Sequence, residues 1–433
     1  MHRFRSILAI FIILLMAGCG KPKVKGADVV VWHWMTDRDS AFLALAEKYN
    51  KEKGVDVKFE LYAPSEAYSS KIRAAAQTNA LPEVFGVMAE KRDFAAYIKA
   101  GHISNLTGYM DAQDGAWKKS LFEKPLAMNA FLPGNEFGVD PGIYGVPIDV
   151  TNILFLYNKD LFKKAGLDPE NPPKTWPEFL AAGKKLKAAG IPGLVSGWGE
   201  IWMIDCLASN FAFNVMGEEK VIETIRGNVP YTDPDWVRVF TLFKEMKDNS
   251  LLASGIVTMV NKTAELIFAN EQAALAFNGS WCVNVYNGMN PKLNYGVMLP
   301  PVVNSQHPMI IWGGAGSSFV VNEKSPNKEQ AVEFLKWLTA PEQQAFLAIE
   351  TKNLPSNKNS LSSIPPILAE FAKHMDNTTH PNTFPVSEYP LVIEAFDKGI
   401  QGILIGEKTP EQIAQEVEAM KQKQKKAAQQ SQN

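Results

Sequence analysis

Cysteine is nearly missing from this chain of 433 residues: there are three, at positions 19, 206 and 282, and no Cys-x-x-Cys. That excludes a densely disulfide-stapled scaffold and a thiolate-built metal site. The six histidines are scattered, with none at ligand spacing from another histidine or a cysteine, so no metal is expected. An excess of either charge is also missing. Forty-four Lys and Arg against 46 Asp and Glu leave a formal net charge of −2, without the basic face that a nucleic-acid partner would need. Gly313 to Ser318 is glycine-rich but lacks the Lys-Ser or Lys-Thr of a phosphate loop, and no Gly-x-Ser-x-Gly elbow occurs. No cofactor and no catalytic group are expected. Glu200 with Asp205 could be imagined as a hydrolytic carboxylate pair, but two acids in one segment are common in any protein. Cys206 and Cys282 could pair in an oxidising compartment, although two buried free thiols are the simpler expectation.

Long apolar runs are absent apart from Ile7 to Met16, which follows His2, Arg3 and Arg5 and leads through Ala17 and Gly18 to Cys19. This run is too short to span a bilayer and has small residues behind it, as a secretory signal does. Met16-Ala17-Gly18-Cys19 resembles the lipobox of bacterial lipoproteins, in which the cysteine becomes the acylated N-terminus. Residues 1–18 are therefore expected to be a signal peptide and 19–26 a tether anchored to the membrane through lipid on Cys19. More than one acyl chain would make that anchoring stable. The alternative is an ordinary secretory signal that happens to contain a cysteine.

What is present suits a folded, exported protein: 46% hydrophobic residues, ten tryptophans and enough length for two or more domains. Val29 to Trp32 reads as a strand, and Asp39 and Ser40 open an amphipathic helix carrying Phe42, Leu45 and Tyr49 that Gly54 stops. Val55, Val57, Phe59 and Leu61 alternate as a second strand, and a helix over 68–79 leads to a third strand at Val84 to Met88. This β-α-β-α-β rhythm predicts an α/β fold with an open, mostly parallel sheet, whose ligands bind beyond the carboxyl ends of the strands. Trp34, Asp37, Asp39, Glu90 and Lys91 fall on that rim. Asp37 and Glu90 read equally well as solvated charges, and Lys91 as a solvated one. The rhythm restarts near Tyr144, and Asp233-Pro234 opens a helix whose Trp236, Phe240, Phe243 and Met246 share one face. Beyond Met420 the chain is almost all Lys, Gln, Ala and Ser, which predicts a frayed polar tail over 421–433.

A pyranose presents an apolar C–H face and a rim of hydroxyls, so a sugar site needs aromatic plates beside charged hydrogen-bonding groups. Trp198-Gly199-Glu200-Ile201-Trp202 places two indoles around one carboxylate. Trp312 beside Gly313 and Gly314 is a second candidate, since glycines let the backbone approach a ligand closely. Trp32, Trp117, Trp176, Trp236 and Trp337 read as packing residues.

Several stretches, in order and at consistent spacing, resemble the bacterial extracellular solute-binding proteins of the maltose-binding type. They are Val29 to Trp32, Gly54-Val55-Asp56-Val57, Ala80-Leu81-Pro82-Glu83-Val84, Tyr144-Gly145-Val146-Pro147-Ile148-Asp149, Tyr157 to Phe162, Pro172 to Trp176, Ala273 to Trp281 and Ser325 to Leu338. The resemblance implies a two-lobed fold of periplasmic-binding type, each lobe a β-sheet flanked by helices. Its segments would be 27–148 and 276–318 for the first lobe, and 149–275 and 319–420 for the second. Crossings would lie near Pro147 to Thr151, near Ala273 to Phe277 and just after Gly313 to Gly316. It further implies a monomer that takes a carbohydrate between its lobes and hands it to the permease subunits of an ABC importer, without enzymatic activity. By the same resemblance Glu200, Trp202, Trp281, Asp37, Glu90 and Thr151 fall on ligand positions, and Tyr389 offers another plate. Thr151 stands where maltose-binding relatives can carry Glu. Asp149 belongs either to the site or to the hinge. A glycerophosphodiester or polyamine ligand and, further off, a glycan-processing enzyme are the competing readings.

Overall fold

The computed structural model describes residues 27–63, 65–87, 91–135, 137–378, 384 and 388–430. The signal segment, Cys19, the tether and Glu90 lie outside them.

The strands are β1 (Val29–His33), β2 (Val57–Leu61), β3 (Val84–Val87), β4 (Ala130–Phe131), β5 (Gly142–Ile143), β6 (Val146–Asn158), β7 (Leu194–Val195), β8 (Leu275–Gly279), β9 (Tyr295–Met298), β10 (Gly313–Val321) and β11 (Leu354–Pro355). The first three form as the alternation predicts. In β1, Val29, Val31 and His33 are buried while Val30 and Trp32 are half-buried, and Gly54 at φ 69° ends the helix Asp39–Lys53 so that the chain can return as β2. β1 pairs in parallel with β2 and β3. The full sheet order is β2-β1-β3-β10-β6-β8-β7, with β9 and β11 also on β6.

This sheet is mixed rather than mostly parallel, because β10 runs antiparallel to both β3 and β6. The long strand β6 belongs to both halves of the molecule. Its residues Val146 to Asn152 pair with β10, and Ile153 to Asn158 pair with β8 or β9. On the first side Val29, Phe42, Phe59, Val84, Phe319, Phe334 and Leu335 share a core. On the second Phe155, Phe179, Phe211, Trp236, Phe277, Phe396 and Val417 share another.

Three strands pass between these cores, and two of them are β6 and β10. The crossing expected near Ala273 to Phe277 is not one, since β8 pairs only with β7 and the second-lobe half of β6. The third crossing is β11, whose Leu354 and Pro355 pair with Val150 and Asp149. The boundaries expected at 276 and 319 move accordingly. Phe277, Met298 and Trp312 pack with the second core, and Cys282, Tyr286, Leu293 and Ile311 with a further cluster around Leu154, Leu156 and Phe268, whereas Phe319, Val321 and the helix Lys328–Leu338 bury their apolar faces in the first. The end of the chain also differs. Helix Pro410–Gln430 continues past 420, and Lys421 is buried, its ammonium donating to the Ile225 carbonyl at 2.6 Å and pairing with Glu388. Both Cys206 and Cys282 are buried free thiols.

Where the three strands cross, Arg38 reaches in from the first lobe. Its guanidinium meets the Asp149 carboxylate of β6 at 2.8 Å and donates to the Ser317 hydroxyl of β10 at 2.7 Å. Next to it Asp37 accepts a hydrogen bond from the Asn353 amide, just before β11, at 3.1 Å. The register of β10 slips between Ala315 and Ser317, and a Cβ on Gly316 would come within 2.7 Å of the Asp149 carboxylate. The bulge therefore makes room for the acid. Burial raises the Asp149 pKa, and Arg38 opposes that shift.

Arg38→Ala should cost about 3 kcal/mol or more of stability in denaturant unfolding, because it leaves a buried carboxylate uncompensated. Adding Asp149→Asn to it should recover part of the loss, and equal single and double costs would show that the ion pair is not what matters.

A second buried pair gives a pH dependence. Asp205 on helix Trp202–Arg226 faces Asp397 on helix Pro390–Ile405, and burial raises both pKa values, so that the pair retains a proton. Unfolded carboxyls titrate near pH 4, so the folded protein keeps a proton that the unfolded chain releases. This contribution is complete below that pH and is lost as pH rises through the elevated folded values. Asp397→Asn keeps a donor without the titration, so it should flatten the decline in unfolding free energy measured between about pH 5 and about pH 8.

Candidate functional site

Two of the expected aromatic plates meet. Trp202 opens its helix with 40% of its surface exposed, and its ring centre lies 6.1 Å from that of Trp281 at an interplanar angle of 47°. Trp281 caps helix Cys282–Met289 and is half-buried. Its indole lies directly over Gly279, where a Cβ would come within 2.0 Å of the ring, so only glycine at that strand position lets the plate lie there. Beside it the Thr151 hydroxyl is 3.2 Å from that of Ser280. Glu200, just before Trp202, is half-buried and accepts the Asn261 backbone N–H at 2.8 Å.

The other indole of that motif goes elsewhere. Trp198 is fully buried against Phe243, at 5.8 Å, because it points into the second core while Trp202 starts the helix above it. Trp312 is half-buried at the edge of the same core, held by its backbone N–H to the Asn210 side chain at 2.6 Å. Gly313 is buried, and a Cβ there would strike Thr378 at 2.7 Å and the Thr151 carbonyl at 2.8 Å. That glycine serves strand packing rather than ligand approach. Tyr389 caps helix Pro390–Ile405, half-buried, with the Lys421 ammonium 5.3 Å from its ring centre. Asp205 turns to Asp397 and not to Glu200, so the imagined hydrolytic pair is not assembled.

On the first lobe Trp34 packs against Tyr68 at 5.1 Å and lies over Gly86. These residues adjoin a cavity of about 140 Å³ lined by Tyr68, Ile72, Gly86, Val87, Phe94 and Tyr97, with Arg73 and Asp93 also on its wall. A void of roughly 150 Å³ admits a benzene molecule, so this one has the volume of a single six-membered ring. Asp37 is partly exposed but tied to Arg38 and Asn353. Asp149 is committed to Arg38, which favours the hinge alternative for it. Asp39 lies 3.3 Å from the buried His33 ring. Lys91, expected in solvent, is buried: its ammonium donates to the carbonyls of Met128 at 2.7 Å and Ala130 at 2.6 Å, 4.1 Å from the Phe131 ring centre. Burial lowers its pKa to about 8.

The packing tryptophans behave as expected for Trp117, Trp176 and Trp236, all buried. Trp32 and Trp337 are half-buried, with their indole N–H groups on Glu60 and Glu52. Sequence reasoning missed Arg38, Ser280 and Glu265. Ser280 was legible as the neighbour of Trp281, but nothing local marks the other two.

The assembled groups are two indoles with exposed surface, a carboxylate and two hydroxyls around one spot, with a ring-sized cavity on the opposite lobe. That combination can hold a ring by its apolar face and hydrogen-bond its periphery. Among the described residues no cluster of His, Cys, Asp and Glu could hold a metal ion.

Comparison with known proteins adds the relationship. The galactooligosaccharide-binding protein of Bacillus subtilis is 23% identical over 410 residues, covering 92% of this chain and 91% of its own. The sn-glycerol-3-phosphate-binding periplasmic protein UgpB of Shigella flexneri is 28% identical over 216 residues, about half of each chain at 49% and 48%. Among solved structures, the apo form of RafE from Streptococcus pneumoniae superposes with a TM-score of 0.72 at 15% identity, over 90% of this chain and 96% of that one. The fold is thus that of the two-lobed binding proteins. The profile of one family, described as bacterial extracellular solute-binding protein, matches residues 44–375, well over half of the chain. This chain belongs to the bacterial extracellular solute-binding protein family.

Proposed function

We propose that this protein is a monomeric receptor, anchored through lipid on Cys19, that binds an oligosaccharide between its lobes and delivers it to the permease subunits of an ABC importer. The paired indoles of Trp202 and Trp281 beside Glu200 and Thr151 carry this reading. Aromatic faces attract the polarised C–H groups of a pyranose, and an ionised carboxylate accepts strongly from its hydroxyls. A ligand touching both lobes favours the closed arrangement by the contacts made only there, with β6, β10 and β11 as the flexing strands. The protein binds and releases its ligand without turnover, so a bound sugar should be recovered unchanged. The half-length similarity to a glycerol-phosphate-binding protein keeps a phosphorylated polyol as the second reading.

The deciding experiment is a thermal-shift screen of the mature protein against oligosaccharides, sn-glycerol 3-phosphate and polyamines, since a ligand that binds only the folded state raises its melting temperature. A shift with sn-glycerol 3-phosphate and none with sugars would replace the carbohydrate reading by the second one. For the sugar that shifts the protein, Trp202→Ala and Trp281→Ala should each lose about 2 kcal/mol of affinity, tens-fold, in calorimetric titration. Their folding stability should change little. Trp236→Ala, from the core, should instead lose roughly 3 to 5 kcal/mol of stability. Normal affinity with large destabilisation in the first two would move the site elsewhere.

The anchor has its own test. Cys19→Ala should abolish incorporation of labelled fatty acid and shift the protein from the membrane to the soluble fraction. Membrane retention without label would refute lipid anchoring.

A further inference from the structure

Glu265 lies on helix Asn261–Ala269, behind the paired indoles, and its side chain is almost wholly buried. A buried carboxylate is costly unless its oxygens are well satisfied. Here the partners are N–H groups. One oxygen accepts from the Asn261 side-chain amide at 3.0 Å and from the Asn278 amide at 3.1 Å.

Each of those donors leads to the candidate site. Asn278 precedes Gly279, whose missing Cβ makes the bed for the Trp281 indole, and its own side-chain oxygen accepts the Gly279 backbone N–H at 2.8 Å. Asn261 gives its backbone N–H to Glu200 at 2.8 Å. The loop that carries Glu200 is pressed onto the same segment. A Cβ on Gly197 would come within 2.6 Å of the Asn261 Cα, and one on Gly199 within 2.8 Å of the Thr258 carbonyl carbon. Plate and carboxylate are therefore both referenced to one buried acid, through the amide hydrogen bonds that satisfy it.

We propose that Glu265 is the positioning residue of the binding site, setting the orientation of the Trp281 indole through Asn278 and the placement of Glu200 through Asn261. The proposal rests on the reading that Trp281 and Glu200 hold the ligand; Glu265 itself does not touch it.

The orientation can be read without a ligand. Two indoles at 6.1 Å and 47° couple as an exciton pair in circular dichroism, and Trp202 with Trp281 is the sole indole–indole ring contact among the described residues. Trp202→Phe and Trp281→Phe should each remove the couplet and so assign it. Glu265→Ala should lose it while retaining the helical signal and a cooperative unfolding transition. Glu265→Gln, which keeps a carbonyl acceptor, should recover part of it. A full couplet in folded Glu265→Ala overturns the proposal, as does a wild-type spectrum indifferent to Trp202→Phe. Should Glu265→Ala fail to fold, Glu265→Gln decides: reduced amplitude supports positioning, and wild-type amplitude overturns it. Titration with maltotriose, xylotriose, chitotriose and raffinose forms the second arm. For any of these that binds the wild type, Glu265→Ala should weaken binding roughly tenfold. Undiminished affinity overturns the positioning role. If none binds the wild type, these sugars are excluded and the carbohydrate reading loses its support, while the couplet still decides what Glu265 holds.

Discussion

One guanidinium sits where the two halves of the molecule are joined, and much of the geometry follows from it. Asp149 lies on β6 at the level where β10 and β11 also pass, out of reach of bulk water. Its negative charge is tolerated because Arg38 lies against it, and the β10 bulge at Gly316 exists where a regular strand would collide with it. Arg38 and Asp37 come from the first lobe and together touch all three crossing segments. The strands are thereby fastened to that lobe at Asp149 and Ser317. The stretch beyond them, toward Thr151 and Gly313, is where the candidate site begins.

Three candidate aromatic residues of the second lobe share a mode of support. Trp202, Trp281 and Tyr389 each stand at the start of a helix, the first as its opening residue and the others as caps. A side chain fixed at the end of a packed helix is held more closely than one on a free loop.

Local signals made a good part of this readable before any coordinates. A short β-rich run identified β1 and alternation β2, Gly54 marked the end of a helix, and Asp233-Pro234 marked the start of another, with Asp233 capping it. The crossings were harder, since Gly313 to Val321 is a plausible strand for either half and only its pairing with Val84 to Val87 assigns it. Trp198 and Trp202 show the same limit at single residues: four positions apart on one short motif, they end in opposite environments. Lys91 and Lys421 look solvated because their neighbours in sequence are polar. Their surroundings in space are carbonyls, an aromatic ring and a buried glutamate, contributed by distant segments. Glu265 is hidden for the same reason.

The interleaving of segments also sets a clock on assembly. Val84 in β3 finds its antiparallel partner at Val321, more than half the chain later. The second core waits for Phe396 and Val417, near the last residues of all. At the roughly 5 to 20 residues per second of synthesis, the first sheet stays incomplete for about 10 to 50 seconds after β3 has been made. Neither lobe can therefore mature as a nascent unit while the rest is still being added, and contacts this remote in sequence are slow to close even afterwards. A chain built in this order remains threadable through a narrow passage until almost its whole length is available.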